Sequence, residues 1–289
     1  MSGSNNYEEE KKMSEIKQLP DSEYFTLDAI DQSALKRFMV SPLAYVDYLE
    51  HGLDVSRDAL DFGSITHGLV LGSGGEYVEK PDRRTKAGRA EYEELEASGA
   101  IMASQADLDT AQLMAERSAP YFMSMPGRAE VALLATDMLS GLKLKGKADW
   151  LPDAPDDDGV LRIRDYKTTG KDPMDFPRTA ATLGYHIQAA FYMLLYRLCG
   201  FDGPLGFEFV VQEKKRPYDY MVWRFAEDCE EIGLAGERIM RALDEISGFQ
   251  RADPEHWKQN MSAYGLDKTP RVIEYTGWQL DKESEEAGL

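Results

Sequence analysis

Apolar and polar residues recur along this chain with two different periods, and the change comes near Glu130. Before it the spacing is helical. Residues 33–39 fit one helix with Ser33 as N-cap. Ser41-Pro42 marks a second start, a capping hydroxyl followed by proline at the first helical position, with Tyr45, Tyr48 and Leu49 recurring behind it. Residues 58–71 predict a third helix, closed by Gly72-Ser73-Gly74-Gly75, and residues 83–96 and 107–117 two more. Beyond Glu130 the pattern shortens to strands at 130–135, 142–151 and 160–168, the first two joined by a turn at Ser140-Gly141. A strongly apolar helix is predicted at 185–198. Strands follow at 207–211 and 218–225, split by Lys214-Lys215-Arg216-Pro217, then an amphipathic helix at 227–246. Helices, a hairpin, a helix and further strands make an α/β plan around a mixed sheet. There is no internal repeat.

The organisation expected is a flexible acidic arm at 1–22, one domain at 23–280 and a polar tail at 281–289. Within the domain, 23–125 is helical, 126–250 is the sheet core, and 251–280 is a C-terminal segment. Of 289 residues, 43% are hydrophobic, enough for one large core. Against 33 Lys and Arg stand 52 Asp and Glu, a formal charge of −19. That excludes a simple basic DNA coat or anionic-membrane binder, but not a local basic lining inside an acidic shell. The longest apolar run, 189–196, is far short of the roughly 20 residues of a membrane span. The start, Met1-Ser2-Gly3-Ser4, has no signal-peptide character. Cys199 and Cys229 are too few for a disulfide framework or an iron–sulfur cluster, and suit a reducing cytoplasm as buried thiols. A soluble, cytoplasmic chain is expected.

The chemistry concentrates in Gly146-Lys147-Ala148-Asp149-Trp150 and Arg164-Asp165-Tyr166-Lys167-Thr168-Thr169. Pairing of the two strands as an antiparallel hairpin brings Asp149 and Asp165 within a residue or two of opposition. Asp165 and Lys167, two apart on a strand, share a face. Close carboxylates repel unless a cation lies between them. A hard divalent ion such as Mg²⁺ or Mn²⁺ resolves the conflict, polarises a phosphoryl oxygen and acidifies a water, while the lysine orients that water. This is a kit for phosphodiester hydrolysis. Asp/Glu-x-Lys alone is weak, since it also starts at Glu9, Glu10, Glu15 and Glu213, where a solvated surface is the plain reading. Gln188 and Tyr192, four apart on a helix, share a face: either the polar stripe of an amphipathic helix or part of the site. His67 is either a structural histidine or an additional ligand.

Taken together, several segments resemble the PD-(D/E)xK nucleases, most closely the RecE-type exonuclease VIII group of phage and prophage recombination nucleases. They are Ser41-Pro42-Leu43-Ala44-Tyr45, Phe62-Gly63 with His67, Arg83-Arg84-Thr85 with Gly88, Glu130, Gly146 with Asp149, Asp165 to Thr169, and Tyr185-His186 with Gln188 and Tyr192. Each is weak, but seven in order from Ser33 to Trp278 are strong. The resemblance implies a restriction-endonuclease-like core, a mixed central sheet flanked by helices, with a helical N-terminal region. It implies Asp149, Asp165, His67 and the Tyr166 main-chain carbonyl as ligands of Mg²⁺ (Mn²⁺ substituting), with Glu130 as a further acid. Lys167 would be the catalytic lysine, with Gln188 and Tyr192 beside the active site. Arg83, Arg84 and Thr85 would touch DNA or shape a loop; Thr168 and Thr169 are further DNA-contact candidates. The activity implied is 5′-to-3′ degradation of linear duplex DNA by a ring-shaped homo-oligomer, tetramer or trimer, leaving a 3′ strand for a RecT-type annealing protein in the bacterial or phage-infected cytoplasm. Asp165 stands where many superfamily members use Glu, which suits the RecE-like branch.

Other readings fail on particular residues. Gly141 to Lys147 imitates a P-loop, but Ala148 replaces the Mg²⁺-binding hydroxyl and the segment alternates like a strand, so no nucleotide is expected. Asp156-Asp157-Asp158-Gly159 lacks the ligand spacing of an EF-hand. No Gly-x-Ser-x-Gly elbow supports a serine hydrolase. Lys214-Lys215-Arg216 either tracks phosphates or is a charged hairpin tip. A sequence- or structure-specific endonuclease, or a non-catalytic DNA-end-binding protein, are the alternatives.

Overall fold

A computed structural model describes residues 14–52, 57–272, 274 and 277–287 of the protein. The chain begins with strand β1 (Ser14–Gln18) and a helical turn α1 (Asp21–Tyr24). Helix α2 (Gln32–Val40) is capped by Asp31, whose carboxylate accepts the Ala34 N–H at 2.8 Å. The cap is therefore not Ser33, which lies inside the helix; Asp31 has the extended backbone and the three-residue offset a cap requires. Helix α3 (Pro42–His51) starts as expected, Ser41 Oγ accepting from Ala44 N–H at 3.1 Å. Then come α4 (Arg57–Leu71), β2 (Tyr77–Glu79), α5 (Lys86–Ser98), β3 (Ile101–Ala103) and α6 (Gln105–Met123). Strands β2 and β3 pair in parallel. At three residues each they are too short to leave a period in the sequence.

The second half supplies β4 (Gly127–Thr136), β5 (Lys143–Pro152), β6 (Leu161–Thr169), α7 (Phe176–Leu183), α8 (Tyr185–Leu198), β7 (Leu205–Glu213), β8 (Tyr220–Ala226), α9 (Glu230–Ala252), α10 (Trp257–Ser262) and α11 (Gly277–Ala287). Among the described residues the main sheet has six strands, ordered β1-β4-β5-β6-β7-β8. β4 and β5 form the expected hairpin, from Gly127↔Pro152 to Thr136↔Lys143. β6 and β7 are parallel, so the chain must cross over between them, and α7 and α8 make the crossover. That is why α8 is so apolar: Ile187, Ala189, Phe191, Met193 and Leu195 are all buried in the core. On β6, Ile163 and Asp165 are buried toward this layer. Tyr166 turns to the opposite face and packs with Val70, Ala115, Phe122 and Trp150 from α4, α6 and β5. The sheet is thus covered on both sides, and the strand periodicity decides which face receives each site residue.

The ends differ from expectation. Residues 14–18 of the expected arm pair with β4 as an edge strand, from Ser14↔Ala135 to Gln18↔Val131. Residues 281–287 of the expected polar tail belong to α11. Both segments are charged enough to read as solvated, yet an edge strand needs only one neighbour and a surface helix only one apolar stripe. Residues 1–13 and 288–289 lie outside the described residues. Cys199 and Cys229 are free and half-buried rather than fully buried. No described helix is long and apolar enough to cross a membrane.

Candidate active site

Strands β5 and β6 pair at Trp150↔Arg164 and then part. Extending that register by one residue sets Asp149 opposite Asp165, but the two backbones have already forked there. The side chains and main chain of the fork replace the missing ladder bonds. Asp149 Oδ2 accepts the main-chain N–H of Tyr166 at 2.8 Å. Asp165 Oδ2 accepts from Gln188 Nε2 of α8 at 2.5 Å, and Lys167 Nζ stands 2.5 Å from Asp165 Oδ1. The expected hairpin between these strands is therefore a fork with a single register pair, and the fork is what exposes two carboxylates to each other.

A third acid comes from β4. Ala129 pairs with Trp150 and Val131 with Ala148, which places Glu130 beside Asp149. Glu130 takes φ of 54°, the left-handed region that is costly for a residue with a side chain. His67 of α4 spans the two acids, Nδ1 3.0 Å from Glu130 Oε1 and Nε2 2.8 Å from Asp149 Oδ2. Lys147, two residues before Asp149, places Nζ 2.9 Å from Glu130 Oε2 and 2.5 Å from Asp21 Oδ1.

The electrostatics follow from crowding. Burial disfavours charge on His67, but Asp149 and Glu130 outweigh it and push its pKa up to about 10. Burial raises Asp149; the His67 and Lys167 charges and the Tyr166 N–H outweigh it and hold the carboxyl below the usual range. Asp165 goes the other way, raised by burial and by the Asp149 charge against the pull of Lys167. Burial disfavours the Lys167 ammonium, yet Asp165 and Asp149 keep its pKa above the ordinary value. Two adjacent carboxyls are thus driven apart in acidity, a mark of functional sites.

The donor set fits a hard divalent cation. Glu130, Asp149 and Asp165 offer carboxylate oxygens, and buried Asp165 Oδ1 meets no neutral donor, only the Lys167 ammonium at 2.5 Å. Among the described residues no three acid, histidine or cysteine side chains converge into a closed cage, since imidazole and ammonium groups stand against each acid. Both ring nitrogens of His67 are engaged by carboxylates, so its service as a ligand requires one of those contacts to open.

The other candidates fall as follows. Tyr192 does not touch the acids: its hydroxyl donates to the Lys147 carbonyl at 2.8 Å and accepts the Lys147 N–H at 3.2 Å, clamping β5. A Cβ at Gly146 would come within 2.7 Å of Leu195 and 3.2 Å of Tyr192, so the glycine lets α8 lie against β5. The Tyr166 hydroxyl turns away to Gln212. Thr169 Oγ1 accepts the Lys171 N–H as β6 ends, and Thr168 precedes it half-buried. Arg83, Arg84 and Thr85 have local partners instead: the Tyr92 ring, Asp82 and the cap of α5. Lys147 and Asp21 are additions. Lys147 was legible from its two-residue offset from Asp149, whereas Asp21 arrives from over a hundred residues away. An open cleft of about 1380 Å³ adjoins His67, Glu130 and Lys147, walled by Gly72 to Gly75, Met123 and Trp150.

A mixed sheet with two acids and a lysine at a strand fork defines a nuclease of the restriction-endonuclease-like class. The chain belongs to the PD-(D/E)XK nuclease superfamily, whose profile matches residues 30–263; these nucleases generally use divalent metals such as Mg²⁺. The fold is similar to the crystal structure of a protein from Eubacterium rectale provisionally named an exonuclease, with TM-score 0.54 and 17% identity over 92% of this chain and 98% of that one. The crystal structure of SSO0001 matches over 63% of this chain and 85% of that one, at 19% identity and a TM-score of 0.30, too distant to carry weight. No curated protein sequence matches.

Proposed function

We propose that the protein is a Mg²⁺-dependent exodeoxyribonuclease that degrades linear duplex DNA from the 5′ end and leaves a 3′ single strand. The observation that carries this reading is the fork: Asp149, Asp165 and Lys167 meet where β5 and β6 part, with Gln188 fixing Asp165. Asp149 and Asp165, with Glu130 and an opened His67, would hold the ion. When bound, the metal supplies Lewis-acid stabilisation of the scissile phosphate and a more acidic water. Lys167 Nζ holds the attacking water by a donated proton and balances the charge that builds on the phosphate. Gln188 Nε2 and the Tyr166 N–H pin one oxygen of each aspartate, so the other oxygens stay aimed into the site. The open cleft lined by His67, Glu130 and Lys147 gives a strand room to enter. The exonuclease name of the Eubacterium rectale protein agrees with this reading. The ring-shaped homo-oligomer, tetramer or trimer, and the RecT-type partner that takes the 3′ strand belong to the same proposal.

Digestion of linear duplex labelled at either the 5′ or the 3′ end tests it, with Mg²⁺ or EDTA and beside a closed circle. Early Mg²⁺-dependent loss of the 5′ label with the circle intact is expected. Cutting of the circle makes the protein an endonuclease; binding without any product makes it a DNA-end-binding protein.

A further inference from the structure

One cation beside the site has no carboxylate in contact with it among the described residues. Lys36 of α2 makes no ion pair among the described residues, and its one hydrogen bond is a long 3.4 Å contact to the Leu183 carbonyl at the end of α7. Its stem lies close against Gly184, where a Cβ would stand 3.3 Å from Lys36 Cδ. Its ammonium ends 5.8 Å from the centre of the Tyr185 ring, and the Lys167 ammonium ends 5.3 Å from the same ring. Tyr185 is itself fixed by stacking, its ring centre 5.5 Å from that of Phe176 and 5.3 Å from that of Phe209. Two ammonium groups therefore share one rigid aromatic platform. Lys167 touches a carboxylate, Asp165; Lys36 feels Asp165 and Asp31 only at a distance.

Half-burying an ammonium with no carboxylate in contact costs free energy. Burial, reinforced by the Lys167 charge, pulls the Lys36 pKa down to about 8. Its surroundings would gain from an anion, and the anion can reach it, since Thr182 and Leu183 are exposed. Next to it Gly184 is the N-cap of α8, and no side chain caps that helix start.

We propose that Lys36 is a second phosphate contact of this site, holding the backbone phosphate of the substrate strand that adjoins the scissile one. This rests on the nuclease reading and extends it to how the strand is seated. The competing role is structural: the same ammonium could merely stabilise the C-terminus of α7 through the Leu183 carbonyl.

Anisotropy of a fluorescent linear duplex binding the full chain in EDTA, over about 50 to 200 mM salt, separates the two. For Lys36→Gln the slope of log K against log salt should fall by about 1, and binding at low salt should weaken roughly tenfold. Lys36→Arg should keep the slope. In Mg²⁺, Lys36→Gln should raise KM several-fold with kcat little changed, the pattern of a contact made equally in ground and transition states. A Lys36→Gln protein with the wild-type slope and KM, whether or not its melting temperature drops, overturns the assignment. If the wild type itself neither binds nor cuts DNA, the nuclease reading falls and takes this one with it. If the wild type does both and Lys36→Gln matches it, only Lys36 is removed.

Discussion

Asp149 is tied to the backbone of Tyr166: its Oδ2 accepts the Tyr166 N–H at 2.8 Å in the stretch where β5 and β6 no longer pair. One carboxylate thus has two jobs. It closes the hydrogen bonding of a forked sheet, and it stands opposite Asp165 as a ligand candidate. Substitutions can separate them. Asn at 149 keeps an acceptor for the N–H but loses the charge; Ala loses both. Asp149→Asn should fold and lose cleavage on the order of 10²–10³-fold. Asp149→Ala should lose as much and also be less stable than the Asn variant by about 1–3 kcal/mol, the cost of an unpaired buried N–H. Urea titration and Mg²⁺-dependent digestion of both proteins check this; wild-type cleavage by either removes Asp149 from the site.

Gln188 reaches the reaction only through Asp165, which makes it a positioning residue. Its Nε2 donates to Asp165 Oδ2, a buried contact in the middle of the apolar α8. Gln188→Leu should keep the helix packed and lower activity by about 10–100-fold, the usual loss when a ligand's supporting hydrogen bond goes. A rise in the Mg²⁺ concentration needed for half-maximal rate would accompany it. Gln188→Glu should do worse, because a second carboxylate would face Asp165. If Gln188→Leu titrates with Mg²⁺ like the wild type, the contact is only structural.

How much of this is legible in the sequence depends on range. Asp165 and Lys167 could be placed on one face because strand parity is local, and Gln188 could be set on the following helix because 185–198 is unambiguously apolar. Ser41 as a cap was local too. The fork was not legible: nothing in 149–165 says that pairing stops after one register pair, since the decision lies in the side chain of Asp149 taking a main-chain donor. Nor was β1, whose partner lies more than a hundred residues away and whose Glu-x-Lys pattern reads as surface. Arg83-Arg84-Thr85 shows the converse. A basic pair and a threonine there allowed either a DNA contact or a shaped loop, and the partners the fold supplies, Tyr92, Asp82 and a helix cap, are those of a shaped loop.

The glycine after His67 fixes how α4 approaches the acids. A Cβ at Gly68 would lie 1.8 Å from the Tyr77 hydroxyl and 2.8 Å from the Gly74 Cα, and backbone cannot yield as a side-chain tip can. Gly68→Ala should therefore shift α4 away from the Gly72 to Gly75 loop, costing about 1–3 kcal/mol and displacing His67 from Glu130 and Asp149. Tyr77→Phe, which removes only the hydroxyl, should be far milder. Combining the two should recover part of the loss in melting temperature but not all, because the Gly74 contact remains. Full recovery would mean the hydroxyl alone sets the spacing.

Away from the site, the far side of β6 carries a buried charge network whose behaviour with pH can be worked out. Glu208 is fully buried and accepts from Arg164 Nε at 2.9 Å, Arg224 Nε at 2.6 Å and the Tyr121 hydroxyl at 2.6 Å. Asp156 completes the set, bound to Arg162 and Arg164, each at 2.8 Å. Glu208→Gln leaves the buried Arg164 short of its partner and should cost about 3–5 kcal/mol. Burial raises the Asp156 carboxyl, but Arg162 and Arg164 outweigh it and hold its pKa below the ordinary 3.8. An acid lowered in the folded state adds stability above its unfolded value and loses it as pH falls through the folded one. Asp156→Asn should therefore be less stable than the wild type by a constant amount at neutral pH, and the gap should close below about pH 4. Denaturant titrations of the two proteins from neutral to acid pH measure it; a gap that stays constant to the acid limit would mean the Asp156 carboxylate charge contributes nothing.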